Sequence, residues 1–567
     1  MPSPRIRWLL FFALLALAAA ILLQPIATQI VAPILPQPPP TAVPVAEPSI
    51  YSEAIAGRPR DINPLLSDFN DADQDLVALL FSGLTTNDAN GEVRPALAQS
   101  WDVSDDGLNY TFALRRDVKW HDGTLFTSRD VSATVALLQA PEFPAPPALT
   151  DFWRRVSVTT PSEYTVIFTL SEPFAPFMSY TSLGLLPARI VEKIPPTQWP
   201  DRDFNAHPIG TGPFRVKRID QGHSTITLEP FPDYYGIKPQ LDRVELHFYP
   251  SEAAALAAYQ RGEVLGVAHV PASSLPDARR IESLSLYATP LSGFDVLYLN
   301  LRNPLFQQKE VRQALLLALD RQRIVDRSLD GQGLVAHSPL LPDQWAYNRF
   351  VKKYAPDADA AKALLAQTGW KVTDGILTKG NQKLEFAIMS SDDPTQVRVI
   401  EEITRQWDAI GVKAHPQVTG FSGLARDFLR PRKFDTIFLR WRDPSSDPDQ
   451  YALWHSTRIS DEGQNYASWQ NRDADELLEQ ARRDPDPKHR ADLYAKFQDV
   501  FADQVPSLLI SYPIYVYAVD QRVQHVQVGP LTRASDRFRT IASWTIEPKV
   551  AAPAVTPQAT ATATATN

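Results

Sequence analysis

The feature that most constrains this chain is an apolar run near its start, because the run separates a short membrane-facing segment from a long body. Arg5 and Arg7 precede unbroken apolar residues from Trp8 to Leu23, and apolar character continues to Leu35. A membrane span needs about 20 apolar residues, and positive charge before it keeps the N-terminus cytoplasmic. We therefore expect residues 1–35 to be an N-terminal signal or transmembrane anchor and the rest of the chain to be extracytoplasmic.

Two interpretations of this segment stay open. We favour an uncleaved anchor, and a cleaved signal peptide is the alternative, because Pro25-Ile26-Ala27 follows the run and could precede a cut. A lipid-modified cysteine is excluded, since the chain contains no cysteine. The same absence excludes thiol catalysis, disulfides and thiolate metal sites.

Segments of biased composition flank the body. Residues 36–48 are proline-rich, and we expect an extended, semi-rigid linker there. Residues 547–567 end in alternating Ala and Thr without apolar periodicity, and we expect a disordered tail. The body between them is too long for one hydrophobic core, so the sequence predicts several domains.

Strand and helix patterns alternate irregularly along the body. The clearest helical pattern runs from Lys309 to Leu329, and Thr395 to Ile410 is amphipathic. Ser507 to Val519 is typical of a buried pair of strands. This mixture predicts more than one α/β lobe, with chain crossings between the lobes.

The sequence carries no signature of catalysis or nucleic-acid binding. A net charge of -9 without a long basic run argues against a nucleic-acid partner. The ten histidines form no His-Glu-x-x-His pattern, and Gly331–Ala336 matches a dinucleotide fingerprint in letters only, because it follows a helix. We therefore expect a protein that is not an enzyme and binds no metal or cofactor. A pair of close carboxylates, as a glycosidase needs, is not excluded.

The stretch Phe434–Ser456 is the strongest local candidate for a site. Alternating residues predict a strand, and the strand runs into a polar and aromatic group, Arg440, Trp441, Arg442 and Asp443. A loop punctuated by Pro444 and Pro448 follows. Polar side chains at the end of a strand are typical of clefts in α/β folds. An ordinary surface loop is the alternative interpretation.

Several ordered motifs resemble those of the extracellular solute-binding proteins that serve peptide and nickel ABC transporters. They are Pro95–Trp101, Asp106–Arg115, Val118–Gly123, Asp130-Val131, Ile209–Phe214, Val311–Ala314, Ala318–Arg321, Ala361–Leu365, Gly369-Trp370 and Ala474–Arg483. The resemblance extends from about Ser49 to Trp544, and the ordered set is far more specific than any one motif.

The resemblance implies a two-lobe α/β fold of the hinged, flytrap-like periplasmic-binding type, with an additional small α/β domain in the first lobe. On this sequence it places lobe I in residues 49–84, 206–292 and 508–546, and the extra subdomain in residues 85–205. Lobe II takes residues 293–507. The crossings are expected near Leu291–Asp295 and Pro506–Ser511, and lobe closure would bury the ligand.

The resemblance also implies where a ligand lies. Peptide-binding relatives hold an extended ligand by main-chain hydrogen bonds and pair its amine with a carboxylate three positions after a tryptophan. Here that position is Pro444, with Asp443 one place early and Asp447 at the family's Asp-Pro step. The arginines beside Trp441 instead favour a ligand with a carboxylate or phosphate. The predicted ligand contacts are Arg440, Trp441, Asp443, Asp447, Tyr451, Asp68 and Phe69; turn formation or packing is the alternative role for the acidic and aromatic ones.

The expected function is extracytoplasmic capture of an oligopeptide or peptide-like solute and its delivery to the permease of an ABC importer. We expect a monomer that contacts the membrane through its N-terminal segment. A ligand-sensing surface protein of the same fold that signals to a membrane partner is one alternative. An external glycoside or peptide hydrolase is another.

Overall fold

The structure, a computed structural model, describes Trp8 and residues 13–16, 48–88, 92–199, 202–220, 222, 224–442 and 445–547. Trp8 and residues 13–16 are helical and belong to a separate unit, Met1–Glu47. Within the described part of the chain, no helix has both the length and the apolarity that a membrane crossing requires. Most of the predicted anchor and linker, and the predicted tail from residue 548 onward, lie outside the described residues.

The strands of the described body are numbered in chain order. They are β1 Ile50–Ala56, β2 Thr85–Asn87, β3 Val93–Pro95, β4 Ala98–Val103, β5 Asn109–Leu114, β6 Val156–Ser162, β7 Thr165–Leu170, β8 Phe214–Ile219, β9 Thr225–Pro230, β10 Arg243–Tyr249, β11 Gly266–Val267, β12 Leu284–Pro290, β13 Gly293–Leu299, β14 Gly333–Val335, β15 Lys371–Thr373, β16 Ile376–Lys379, β17 Gln382–Lys383, β18 Glu385–Ser391, β19 Lys413–Thr419, β20 Thr436–Arg442, β21 Ser507–Asp520, β22 Val523–Gln524 and β23 Thr545–Ile546.

The helices are named by their residue bounds. The α-helices of four or more residues are Asp71–Leu80, Ser128–Gln139, Pro147–Trp153, Phe177–Tyr180, Ala188–Val191, Arg202–Ala206, Glu252–Gln260, Leu275–Ala278, Lys309–Leu317, Arg321–Ser328, Ala358–Gln367, Pro394–Asp408, Tyr451–Trp454, Arg472–Arg483 and Pro487–Gln504, with a π-helical segment at Leu424–Leu429 and a 3-10 helix at Ala534–Phe538.

One 12-stranded sheet runs through both lobes. Its order is β19-β18-β20-β13-β21-β11-β1-β10-β9-β8, and β12 and β14 also pair with β21. The first part of β21 pairs with β13, and residues 514–520 pair with β12. Ser507–Asp520 is therefore one strand, and the predicted strand pair was wrong because no turn interrupts it.

The hydrophobic cores fall into two groups along the chain. Two cores draw on residues from Phe294 to Tyr512, and the other two draw on residues from Tyr51 to Leu291 and from Ile514 onward. We propose that the crossings lie at Ser292 and Pro513. On this proposal residues 508–512, which were expected in lobe I, pack with lobe II.

The extra subdomain is built on an antiparallel sheet of order β4-β5-β7-β6. Alternate residues of β5 and β7 are buried, as expected for a sheet with one covered face. Phe112 and Phe168 belong to the same hydrophobic core as Leu76 and Leu80 of the first lobe. The subdomain and the first lobe therefore share a core, and residues 85–205 stay our proposed bounds for the subdomain.

Two of the sequence motifs, Val118–Gly123 and Ile209–Phe214, meet at the end of helix Asp71–Leu80. Gly210 runs so close to this helix that a Cβ on it would lie 1.8 Å from the carbonyl oxygen of Leu80. The Nδ1 atom of His121 accepts a hydrogen bond from the Gly210 amide at 3.1 Å, and its Nε2 atom donates to the Gly212 carbonyl at 3.1 Å. Burial lowers the pKa of His121 to about 4, so the ring is neutral at pH 7, as this bonding pattern requires.

The predicted helix from Lys309 to Leu329 is interrupted. The structure has helices Lys309–Leu317 and Arg321–Ser328, and the Asp320 side chain caps the second by accepting from the Arg323 amide at 2.9 Å. Apolar periodicity continues across the break, so the pattern alone did not reveal it. The predicted amphipathic helix before Gly411 is confirmed at Pro394–Asp408.

A buried ionic network joins the C-terminal part of the first lobe to β1. Arg537 is fully buried and donates to Glu53 Oε1 at 2.6 Å and to Asp75 Oδ2 at 2.7 Å. Tyr517 of β21 donates to the second oxygen of Glu53 at 2.8 Å. Burial raises the pKa of Asp75 to about 6 against the opposing effect of Arg537.

We expect His121→Gln to remove part of the acid sensitivity of the fold. The pKa of His121 is about 4 in the folded state and about 6.5 in an unfolded chain, so the unfolded state binds a proton first as the pH falls. Between pH 7 and pH 4.5 this titration should lower the free energy of unfolding by about 2–3 kcal/mol. Urea unfolding at both pH values measures it. The control is His525→Gln at an exposed histidine, and equal losses in all three proteins would contradict the prediction.

Candidate functional site

The end of β20 lies at the junction of the two lobes, beside a buried carboxylate. Asp295 of β13 is fully buried, and Arg440 of β20 donates to it through Nε at 2.8 Å and Nη2 at 3.2 Å. Ser511 of β21 donates to the same carboxylate at 2.7 Å. The nearby charge of Asp295 raises the pKa of Arg440. This carboxylate therefore links three neighbouring strands, and the predicted contact Arg440 already has a protein partner.

The backbone of β13 and β20 is tightly fitted next to this pair. Gly293 has φ of +139°, and a Cβ on it would lie 2.2 Å from the Trp441 carbonyl oxygen. Only glycine fits such an approach at this backbone conformation. Trp441 itself is half-buried and packs on a core of the second lobe.

In the part of the chain that the structure describes, the last residues of β20 are paired with a strand on one side only. β13 pairs with β20 along its whole length, whereas β18 pairs only with Thr436 and Ile437. Among the residues that the structure describes, no strand pairs with Leu439–Arg442 on the edge that faces away from β13. Such an edge is suited to receive an extended chain as an added strand.

Asp68 and Asp71 of the first lobe lie near the start of helix Asp71–Leu80, across the lobe junction from the end of β20. Asp71 forms an ion pair with Arg442 at 3.2 Å, and this pair crosses from lobe to lobe. Both side chains are more than half exposed, so the pair contributes at most about 1 kcal/mol. Asp68 instead pairs with Arg533 of its own lobe at 3.0 Å. The side chain of Phe69 and all of Asp443 lie outside the described residues.

Asp447 is committed to an arginine within the second lobe. Its Oδ1 accepts from Nη2 of Arg490 at 2.7 Å, and both side chains are nearly buried. Burial raises the pKa of Asp447, and the charge of Arg490 opposes that rise. Arg490 also donates to the Ala481 carbonyl at 2.8 Å. A buried pair of this kind fixes the loop to helix Pro487–Gln504.

Tyr451 is likewise surrounded by protein groups. Its ring is stacked on His455 at 4.0 Å between centroids, and the Arg482 guanidinium carbon lies 4.2 Å from its centroid. Nε of Arg482 is also 2.9 Å from Oδ2 of Asp449, at an angle that suits an ion pair rather than a hydrogen bond. The ring therefore packs within the loop in this conformation.

Sequence reasoning missed the partners of the predicted residues. These are Asp295 for Arg440, Arg490 for Asp447, Arg482 for Tyr451 and Arg533 for Asp68. Only Asp295 carried a local signal, because it is a charged residue inside the apolar strand Gly293–Leu299. Within the described residues, no group of three or more His, Asp or Glu is arranged to hold a metal ion.

We expect Asp295→Ala to lower the free energy of unfolding by about 2 kcal/mol, because it removes the acceptor of the buried Ser511 hydroxyl and of Arg440, whose side chain is 37% exposed and can turn partly to water. Ser511→Ala removes one neutral donor from the same carboxylate and should cost about 1 kcal/mol. Urea unfolding of both variants and the wild type gives the comparison. A loss in Asp295→Ala no greater than in Ser511→Ala would show that the ion pair does not stabilise the junction.

The comparisons with known proteins agree on one family. The profile of the bacterial extracellular solute-binding proteins, family 5 (middle), matches residues 92–461. An oligopeptide-binding protein, AppA, from Bacillus subtilis is 32% identical over 483 residues, 84% of this chain and 88% of that protein. The dipeptide-binding protein of Escherichia coli is 29% identical over 464 residues, 78% of this chain and 84% of that protein.

Solved structures share the fold. AppA from Bacillus subtilis in complex with a nonapeptide has a TM-score of 0.70 at 29% identity, covering 88% of this chain and 100% of that chain. NikZ from Campylobacter jejuni in complex with Ni(L-His) has a TM-score of 0.72 at 26% identity, covering 88% and 99%. The predicted two-lobe α/β fold is confirmed.

Proposed function

This chain belongs to the bacterial extracellular solute-binding proteins of family 5, and we propose that it captures an oligopeptide or peptide-like solute between its lobes for an ABC importer. The family resemblance seen in the sequence is thereby confirmed. Delivery to a membrane permease and action as a monomer are parts of the proposal.

The unpaired edge of Leu439–Arg442 carries the peptide part of this proposal. An extended peptide binds such an edge through its main chain, with little demand on its side chains. The edge lies beside the lobe junction, where Arg442 already contacts Asp71 of the opposite lobe. Relatives named as oligopeptide- and dipeptide-binding proteins match most of this chain, which supports the same class of solute.

The predicted contacts divide into two groups on this proposal. Trp441 and Asp443, with Phe69 from the first lobe, are proposed to contact the solute directly. Arg440, Asp447, Tyr451 and Asp68 are proposed to shape the cleft, because their side chains are engaged by Asp295, Arg490, Arg482 and Arg533.

We expect a peptide to raise the melting temperature of the full-length protein. The test is a thermal-shift screen with di- to nonapeptides, the same peptides acetylated at the amine, and histidine with nickel. A ligand at 100 times its Kd should add about 2.7 kcal/mol to the free energy of unfolding. Stabilisation by nickel-histidine alone would contradict the peptide assignment while leaving solute binding intact.

A second prediction tests main-chain recognition. A peptide found in that screen and its backbone N-methylated analogue have the same side chains but differ in one donor and in bulk at the strand edge. We expect calorimetry to show about tenfold weaker binding for analogues methylated at the central residues, from a lost hydrogen bond and the added methyl. The control is a conservative side-chain change at the same residue, which should alter binding less. Equal affinities of parent and analogue would contradict added-strand binding.

We further propose that the segment Trp8–Leu23 holds the protein at the outer face of the cell membrane. We expect the full-length protein in the membrane fraction, with an intact mass that includes residue 5. A mass that begins after Pro25 would establish the cleaved signal peptide instead.

A further inference from the structure

The extra subdomain reaches across to the second lobe through the turn Glu172–Pro176. The Ala175 amide donates to the carbonyl oxygen of Arg482 at 2.7 Å. Arg482 belongs to the last turn of helix Arg472–Arg483, where carbonyl groups have no partner inside the helix. A main-chain hydrogen bond therefore joins the two parts at a helix end.

The side chain of Arg482 lies between aromatic rings of the two parts. Its guanidinium carbon is 4.8 Å from the ring centroid of Phe174 in the subdomain and 4.2 Å from that of Tyr451 in the second lobe. Only 25% of the side chain is exposed, and Asp449 provides the counter-charge at 2.9 Å. Cation–π contacts strengthen when water is excluded, as it largely is here.

Phe174 is held firmly within its own subdomain. Its ring packs on Phe152, with centroids 5.5 Å apart, and on Tyr180, with centroids 6.1 Å apart. The Tyr110 hydroxyl donates to the Phe174 carbonyl at 3.4 Å. Because the subdomain shares its core with the first lobe, a contact made by Phe174 connects the first lobe to the second.

We propose that Phe174 and Arg482 form a clasp that keeps the lobes closed before any solute arrives. The contacts join parts that separate when the cleft opens, so they stabilise the closed form alone. Arg482 is then a positioning residue, because it also holds Tyr451 and Asp449 of the loop beside the cleft. A larger closed fraction strengthens the apparent affinity for whatever solute binds. The clasp does not depend on the identity of the solute.

The absence of cysteine allows a direct test by distance measurement. Spin labels are attached at Ser157→Cys in the subdomain and Asp492→Cys in the second lobe, both exposed positions. The distance between the labels is measured by double electron–electron resonance on the full-length protein, after co-purified solute has been removed by reversible unfolding. We expect one short distance in this labelled parent and an added longer distance when Arg482→Gln is introduced.

The neighbouring arginine provides a matched control. Arg483 ends the same helix but is 62% exposed, and its nearest acidic partner, Glu172, is 3.9 Å away. Arg483→Gln should therefore keep the short distance. Phe174→Leu, which retains apolar bulk without an aromatic face, should show the longer distance even if Arg482→Gln folds poorly.

Three results would overturn the clasp. The first is a long distance in the labelled parent without solute, and the second is a short distance retained by both clasp variants. Opening by Arg483→Gln equal to that by Arg482→Gln would assign closure to surface charge instead. Failure to find a peptide ligand would leave these distances unaffected, so this test is separate from that of solute capture.

Discussion

The buried carboxylate of Asp295 is the interaction on which the junction of the two lobes depends. It accepts hydrogen bonds from Arg440 of β20 and Ser511 of β21, so three adjacent strands are fixed to one another beside the proposed crossings between lobes. A buried charge without partners is strongly destabilising, and this arrangement supplies both a counter-charge and a neutral donor. It also sets the position of the strand end Trp441–Arg442, and with it the floor of the proposed cleft.

Most charged side chains near the cleft form ion pairs with other side chains of this protein. Asp447 pairs with Arg490, and Asp449 with Arg482, just as Arg537 pairs with two carboxylates in the first lobe. These pairs orient loops and helix ends that contain many turn-forming residues. The described carboxylates of the loop are therefore poor candidates for binding a solute amine. Recognition through a strand edge and a half-buried tryptophan fits this distribution of charge better.

The extra subdomain takes part in both lobes. It shares a hydrophobic core with the first lobe, and its turn Glu172–Pro176 contacts a helix end of the second. Movement of the second lobe away from the first must therefore break the contacts of Phe174 with Arg482. The proposed clasp follows from that geometry. On this proposal the subdomain takes part in lobe closure as well as packing on the first lobe.

From the sequence alone, the resemblance of an ordered set of motifs identified the family and the two-lobe α/β class, and apolar periodicity predicted the helix Pro394–Asp408, because such patterns are encoded within a few neighbouring residues. The sequence also located the strand end Arg440–Arg442. It did not reveal the helix break at Asp320, because the apolar spacing continues through that residue. It also did not reveal that β21 is a single strand, because the residues on both sides of Pro513 have the same buried, apolar pattern. The partners of Arg440, Asp447 and Tyr451 were decided only by tertiary structure. Asp295, Arg490 and Arg482 lie 145, 43 and 31 residues from them along the chain, and no local pattern records which buried charge will meet which.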